Sequence, residues 1–276
     1  MNRPLKSTVE KTVRYFFLVV VAAISLYPFV WVVISSLKDN NEIYGHPFAL
    51  TMHPIWTHYA EAWQGADVSR SFFNSLTVCL LALLIMLMIT TMASYILVRV
   101  WPNRFFKTYF SLGIMIPIHA LLIPAVLIFK FLHMQNNLFS LVLIYVAWQI
   151  SFSMFIINGY MQNIPVELDE AAEIDGCTKT QTFFKVILPV CGPGIATAAT
   201  LAFLNCWNDL LLGLVLISSI SKRTMTMAIS ALQGSYATNY GLLCAGFVIA
   251  IIPVVMMYLL FQKQVVSGMT AGAVKG

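Results

Sequence analysis

Residues 71–98 read SFFNSLTVCLLALLIMLMITTMASYILV, a run that contains no Asp, Glu, Lys or Arg. The run is long enough to cross a membrane, because a helix needs ~20 apolar residues to span ~30 Å of hydrocarbon. It lacks the alternation of polar and apolar residues that a strand of a membrane barrel shows. A helix is therefore the expected structure, since it satisfies its backbone groups within the segment.

The composition extends this conclusion to the whole chain. Hydrophobic residues make up 59% of the 276 residues and charged residues only 10%, whereas soluble domains have roughly half and a quarter. We therefore expect an all-α membrane protein with six transmembrane helices in a single transmembrane domain, residues 1–276. The expected spans cover about residues 15–37, 72–98, 108–129, 138–158, 190–217 and 241–261.

The basic residues predict the orientation of these spans. If both termini are cytoplasmic, the sixteen Lys and Arg residues divide eleven to five in favour of the inner segments, in keeping with the positive-inside rule. The net charge of +5 then reflects this bias, and we expect no nucleic-acid partner. The five cysteines show no paired spacing, so the sequence predicts neither a disulfide framework nor a metal site.

Negative charge is concentrated in the loop between the fourth and fifth spans, residues 163–189. Asn163 and Pro165 predict the start of a helix in this loop, and Gly176 predicts its end in a left-handed conformation. Thr178 is expected to cap a second short helix. Five of the eleven acidic residues of the chain lie within nine positions of this loop, namely Glu167, Asp169, Glu170, Glu173 and Asp175.

This acidic helix has two interpretations. The small side chains of Ala171 and Ala172 would let another protein approach closely, and the surrounding acids would favour a basic or polar pocket on that protein. Alternatively, the helix is a solvated loop element whose acids oppose the positive end of its dipole. Composition alone leaves both interpretations open.

The fifth expected span carries a polar and aromatic cluster of Asn205, Trp207, Asn208 and Asp209. Asp209 is the only carboxylate deep within an expected span, and such a group is costly unless it faces protein or water. Polar and ionisable residues inside a membrane span often mark a solute pathway, so the cluster is a candidate translocation path. The alternative is a polar clamp between packed helices.

Two prolines, Pro117 and Pro124, lie inside the third expected span. Each removes a backbone donor, so we expect the span to bend. The bend serves either helix packing alone or gating.

The acidic loop resembles the signature of the inner-membrane permease subunits of ATP-binding-cassette importers. The matching residues are Glu170-Ala171-Ala172, then Gly176, then Leu188-Pro189, with Val186 where the family prefers Ile. Further motifs, over nearly the whole chain, are similar to the maltose-type sugar permeases. They are Asn74-Ser75-Leu76, Ala93-Ser94-Tyr95 with Arg99, Ile116-Pro117, Ile123-Pro124, Ile174-Asp175-Gly176, Trp207-Asn208-Asp209 and the ending at residues 268–276.

The resemblance implies a permease subunit of the cell (inner) membrane that forms half of a carbohydrate pore. Its partners would be a homologous second permease, two cytoplasmic ATP-binding subunits and an extracytoplasmic solute-binding protein. ATP and Mg would bind only in those ATPase subunits, with no cofactor in this chain. Residues implied to couple to the ATPases are Glu170, Ala171, Ala172, Asp175, Gly176, Leu188 and Pro189, and a tail with Gly272, Lys275 and Gly276 would also contact them.

Other function classes fit the residues less well. An ion-coupled secondary transporter would need intramembrane ionisable relays or internal repeats, and only Asp209 qualifies. An enzyme would need a nucleophile elbow, a metal-binding His pair or a phosphate-binding Gly-rich loop, and none is found in the sequence. We therefore expect a transport subunit without an ATPase site of its own.

Overall fold

The computed structural model describes residues 3–64, 67–233 and 238–273, with side chains from residue 10 to residue 264 within those ranges. The described residues are helical and contain no strand, which confirms the helical fold class. Four of the described helices are long and apolar enough to cross a membrane, or six if each of two bent helix pairs forms one span. The chain divides into two compact units, residues 1–66 with 229–249 and residues 67–228 with 250–276.

The first unit contains the N-terminal span and the segment that follows it. Lys38 is fully buried there, and its Nζ donates a hydrogen bond of 2.9 Å to the carbonyl oxygen of His46. Asn40 joins this segment to the residues before the last helix, because its Nδ2 donates to the Thr238 carbonyl at 2.8 Å. The helices of this unit are α1 (Arg3–Ser35), α2 (Asn40–Gly45) and α3 (Thr57–Gln64).

The second unit contains the remaining spans and the acidic loop. Its first helix, α4 (Val68–Tyr95), continues through a π-helical turn, Ile96–Val100. The helices that follow are α5 (Arg104–Gly113), α6 (Leu122–Phe131), α7 (Leu138–Met161), α8 (Glu167–Ile174), α9 (Lys179–Thr182), α10 (Leu188–Val190), α11 (Gly192–Trp207) and α12 (Leu211–Leu216). After these, α13 (Met225–Ala231) and α14 (Tyr240–Ala273) each contribute residues to both units.

The core of the second unit is the packing of α4 along α7, with α11 against both. Small side chains on α11 make this close approach possible, as is common between membrane helices. Gly194 shows how close it is, since a Cβ placed there would lie 2.6 Å from the ring of Tyr160. The buried small residues of α11 are Gly194, Thr197, Ala198, Ala199, Thr200 and Ala202.

The third span is broken rather than gently bent. Its two halves, α5 and the helical segment Ile118–Phe131, meet at an angle of 90°. Pro117 stands at the break with an extended backbone, φ −69° and ψ 138°, which confirms that the span bends. Pro124 lies in the first turn of α6, where a missing backbone donor disturbs no hydrogen bond of the helix.

The fifth span begins and ends differently from the prediction of residues 190–217. The helical segment Lys179–Val190 leads directly into α11 with a bend of 71° between them. Pro193 occupies the first turn of α11, where its fixed φ favours the start of a helix. The helix then ends at Trp207, and a separate short helix, α12, follows.

Candidate functional site

The acidic helix is α8, and it starts later than the sequence suggested. Its first residue is Glu167, and the preceding Val166 makes no side-chain cap. Asn163 instead donates from its Nδ2 to the carbonyl oxygen of Gly159, in the last turn of α7. The prediction that Asn163 caps the acidic helix is therefore wrong, because α8 begins only at Glu167 and Val166 occupies the cap position.

The end of α8 confirms the local predictions. Gly176 has a φ of +77°, and the backbone N–H of Cys177 reaches back to the carbonyl of Ala172 at 2.9 Å. Together with the bond from Gly176 N to the Glu173 carbonyl, this is a Schellman motif. Thr178 then caps α9 in a capping box with Gln181, as expected.

Not all of the predicted coupling residues are exposed at the surface of the chain. Ala172 is only 5% exposed and packs inward, so Ala171 alone presents a small side chain to a partner. Ile174 is 86% exposed; the sequence showed it as part of the Ile174-Asp175-Gly176 motif but it was not predicted as a coupling residue, although an apolar residue among acids was a visible signal. The exposed predicted residues are Glu170, Ala171, Asp175, Gly176 and Pro189, while Leu188 is half-buried.

An apolar cluster holds the acidic loop against the spans. The rings of Tyr95 in α4 and Phe183 after α9 lie 5.2 Å apart between centroids. Ile164, Ile187 and Cys191 are buried in the same cluster with the end of α7. Because all of these segments share one packed core, the loop is mounted on the helices rather than tethered by flexible chain.

A buried ion pair also holds the acidic loop against the spans. The Nη1 of Arg99 lies 3.6 Å from the Oδ2 of Asp169, and the two side chains are 9% and 10% exposed. The Nη2 of Arg99 donates to the carbonyl of Met161 at 3.0 Å and also to the carbonyl of Ile164. A buried charge requires such partners, because desolvation alone would cost several kcal/mol.

Trp207 has a packing environment inside the second unit. Its side chain is 2% exposed, and its Nε1 donates to the Ala250 carbonyl at 3.1 Å. The indole stacks on Phe203 with centroids 5.5 Å apart and meets Phe72 edge-on. Asn208, the next residue, is exposed.

Asp209 is satisfied by surrounding donors. The hydroxyl of Tyr145 donates to its Oδ2 at 2.9 Å, and the backbone N–H of Gly213 donates to the same oxygen at 3.2 Å. Its Oδ1 accepts from the N–H of Leu212 at 3.4 Å. The carboxylate therefore sits at the N-terminus of α12, where helix N–H groups favour negative charge.

Asn205, a member of the predicted cluster, lines a cavity between α5, α7 and α11. Its Nδ2 donates to the Oε1 of Gln149 at 3.4 Å, and the Nε2 of the buried Gln149 has no hydrogen-bond partner among the described residues. The cavity has a volume of about 180 Å³, whereas one water occupies ~30 Å³ in the liquid. It is lined by Gly113, Ile114, Ile116, Trp148, Gln149, Phe152 and Asn205.

A second cavity, of about 170 Å³, lies between α5 and α7, nearer the acidic loop. The Oδ1 of Asn158 there is buried and lacks a hydrogen-bond partner among the described residues. Each of the two cavities therefore has one unsatisfied buried amide atom in its lining. The second is lined by Lys107, Phe110, Ser111, Ser151, Met154, Phe155, Asn158, Gly159 and Gln162.

The tail predicted to contact ATPases is only partly described. Gly272 belongs to α14, which extends to Ala273, so the chain remains helical beyond the expected span of residues 241–261. Lys275 and Gly276 lie outside the described residues. Their contact with a partner stays a prediction.

Comparison with known proteins identifies relatives along the whole chain. Residues 86–270 match the family model of the "binding-protein-dependent transport system inner membrane component". The chain is 33% identical to the sulfoquinovosyl glycerol transport system permease protein SmoH of Agrobacterium fabrum, over 96% of this chain and 94% of that protein. It is 32% identical to the diacetylchitobiose uptake system permease protein NgcG of Streptomyces coelicolor, over 94% and 87%. Identity to the multiple sugar-binding transport system permease protein MsmG of Streptococcus mutans is 32%, over 95% and 96%.

The fold also matches a solved structure. A chain of a bacterial ABC transporter involved in the import of the acidic polysaccharide alginate superposes with a TM-score of 0.81. The superposition covers 95% of this chain and 98% of that chain at 21% identity. At this identity the similarity shows the fold alone.

Proposed function

This chain belongs to the family of binding-protein-dependent transport system inner membrane components, and we propose that it forms half of an ATP-driven pore for carbohydrate uptake. The family makes the chain a multi-pass membrane transport subunit rather than an enzyme, and it favours binding-protein-dependent transport over ion-coupled transport. The relatives named for sulfoquinovosyl glycerol, diacetylchitobiose and multiple sugars support a carbohydrate as the transported solute.

The observation that carries this proposal is the exposed surface of α8, a helix that packs against the spans on its other side. Glu170, Ala171 and Ile174 lie within one helical turn and are exposed, so α8 presents an apolar patch edged by acids. An acidic helix does not lie in lipid, and an isoleucine that is 86% exposed on it is explained by a protein partner. We assign this surface to one of two cytoplasmic ATP-binding subunits, which would supply the ATP and Mg sites.

The orientation follows from this assignment. A surface that docks on a cytoplasmic ATPase must itself be cytoplasmic, and six spans then place both termini on the same side as α8. The excess of basic residues in those segments supports this orientation. The remaining partners are a homologous second permease, which completes the pore, and an extracytoplasmic binding protein, which delivers the solute.

For the translocation path we propose the cavity at Asn205 rather than the sites of Trp207 and Asp209. The indole N–H of Trp207 and the carboxylate of Asp209 are both occupied by bonds within the chain. The amide of Asn205 donates one bond to Gln149, but unlike Trp207 and Asp209 it lies in a cavity beside the aromatic rings of Trp148 and Phe152. Rings for stacking and amides for hydrogen bonds are the groups that neutral sugars require, and the cavity near Asn158 would continue the path toward the cytoplasm.

Site-directed cross-linking tests the docking surface with a matched pair of cysteines. In a chain with Cys177→Ser, we expect a cysteine at the exposed Ala171 to cross-link to a co-purifying nucleotide-hydrolysing subunit. A cysteine at the neighbouring Ala172, which is 5% exposed, should not. Failure of the Ala171 cysteine to capture such a subunit in intact cells would contradict the proposal, as would equal capture from both positions.

A further inference from the structure

Arg99 lies where three segments of the second unit converge. It belongs to the π-helical turn that ends the α4 segment, whereas its partners belong to the end of α7 and to the acidic loop. The guanidinium donates to the carbonyls of Met161 and Ile164 and lies 3.6 Å from the carboxylate of Asp169 in α8. One side chain therefore connects α4, α7 and α8.

The chemistry of this junction requires arginine. The planar guanidinium presents five N–H donors in fixed directions, so it can serve two carbonyls and one carboxylate together. A lysine carries the charge on a single nitrogen and cannot reproduce this geometry. Removing Asp169 would leave a buried cation without its counter-ion, which is more damaging than losing an exposed pair.

The junction also contains unsatisfied polar atoms. The Nε of Arg99 and the Oδ2 of Asp169 are buried and make no hydrogen bond among the described residues. The hydroxyl of Tyr95, about one helical turn before Arg99, is likewise buried without a hydrogen-bond partner among the described residues. At 3.6 Å the ion pair is longer than a charge-assisted hydrogen bond of about 2.7–2.9 Å, so the pair has room to tighten.

We propose that Arg99 is a positioning residue that makes α8 move as one body with the ends of α4 and α7. Resting on the proposed function, this means that a displacement of α8 by the ATPase reaches both spans through one buried side chain. The apolar cluster supplies packing, and Arg99 supplies the directional link. Without the link, α8 would still dock, but its movement would reach the spans with less effect.

The chain offers a matched control on the same helix. Glu173 pairs with Lys179, but these side chains are 48% and 56% exposed, and such surface pairs contribute little to stability. Glu173→Gln and Asp169→Asn each remove one carboxylate charge from α8. Only the second change removes a partner of Arg99.

The test measures the distance between α4 and α8 within the full chain in proteoliposomes. Nitroxide labels are placed on cysteines introduced at the exposed Met92 and Glu167. The chain also carries Cys177→Ser, and its other four cysteines are buried, so that only the introduced cysteines are labelled. Electron paramagnetic resonance should give a narrow distance distribution for the parent chain and for Glu173→Gln. The distribution should broaden in Asp169→Asn and in Arg99→Lys. Arg99→Lys keeps the positive charge of the ion pair, so it still tests the proposal if Asp169→Asn does not insert into the membrane.

A second readout concerns the assembled transporter. Both variants should co-purify with the ATP-binding subunits, but the ATP hydrolysed per solute transported should rise above that of the parent and of Glu173→Gln, because movement of α8 would reach the spans less effectively. Unchanged distance distributions in both variants, or equal broadening in Glu173→Gln, would overturn the role of Arg99. If no ATP-binding subunit co-purifies with the parent chain, the proposed function is contradicted. The distance measurement would still show whether Arg99 links α8 to the end of α4.

Discussion

The hydroxyl of Tyr145 donates a hydrogen bond of 2.9 Å to the carboxylate of Asp209, so the acid in the fifth expected span is held by α7. The same carboxylate accepts the backbone N–H groups of Leu212 and Gly213. It therefore satisfies donors that the start of α12 would otherwise leave unpaired. A break in a membrane helix is tolerated where neighbouring groups satisfy the freed backbone in this way.

Tyr145→Phe should destabilise the chain. Tyr145 is 1% exposed, and removing its hydroxyl deletes one hydrogen bond to a charged group, which costs about 1–3 kcal/mol. Thermal unfolding of the purified chain in detergent should show a lower midpoint. The control is Tyr109→Phe, because Tyr109 is 62% exposed and the same change should leave its midpoint unaltered. Equal midpoints for the two variants would contradict the role of the Tyr145 hydroxyl.

Alanine at Gly176 and at Gly159 should have opposite effects. A Cβ at either position meets no atom within 4 Å, so neither change causes a clash. Gly176 has a φ of +77°, where a side chain costs roughly 1–2 kcal/mol, whereas Gly159 lies inside α7, where alanine gains about 1 kcal/mol over glycine. Hydrogen exchange should be faster at the end of α8 in Gly176→Ala and slower around residue 159 in Gly159→Ala. Slower exchange in α8 of Gly176→Ala would show that the loop does not need this conformation.

Gly194→Ala should be destabilising and should be rescued by a change in α7. The added Cβ would lie 2.6 Å from the ring of Tyr160, which is too close for packed atoms, and overpacking typically costs about 1–3 kcal/mol. Tyr160→Leu removes the ring, so the double variant should be more stable than the sum of the two single changes predicts. A double-mutant cycle on unfolding free energies measures this difference. Strict additivity would mean that α11 and α7 do not meet at this point.

The contrast between α8 and α12 shows what could be predicted from the sequence. Gly176 and Thr178 were predicted correctly because their caps are made with residues at most five positions away. Asp209 could not be resolved in the same way, since its hydrogen-bond donor Tyr145 is 64 residues distant in sequence. A predicted helix already places the neighbours Ala171 and Ala172 on different faces, but only packing against the spans decides that Ala172 is the buried one.

The Asn163 prediction failed for a related reason. Its residue type suits a cap, but α8 begins only at Glu167, so Asn163 lies too far before the first turn, and its Nδ2 donates instead to the Gly159 carbonyl at the end of α7. The ion pair of Arg99 could not be predicted either. Arg99 was recognised in the sequence as part of a motif, but its pairing with Asp169 depends on how the end of the α4 segment packs against the acidic loop.

Asn205→Leu should lower solute uptake far more than Asn208→Leu. Asn205 lines the cavity of α7 and α11 and shares a hydrogen bond with Gln149, so leucine removes an amide from the cavity and leaves the buried Gln149 without its partner. Asn205 and Asn208 are both exposed, but Asn208 is not among the residues that line that cavity. If the solute hydrogen-bonds to Asn205, the loss should be about 1–3 kcal/mol, or roughly a 5- to 150-fold rise in the concentration of the best of a panel of sugars that half-maximally stimulates ATP hydrolysis by the assembled transporter. Asn205→Gln, which keeps the amide, should retain part of the response. A full response in Asn205→Leu, with Asn208→Leu impaired, would place the solute path on the other side of α11.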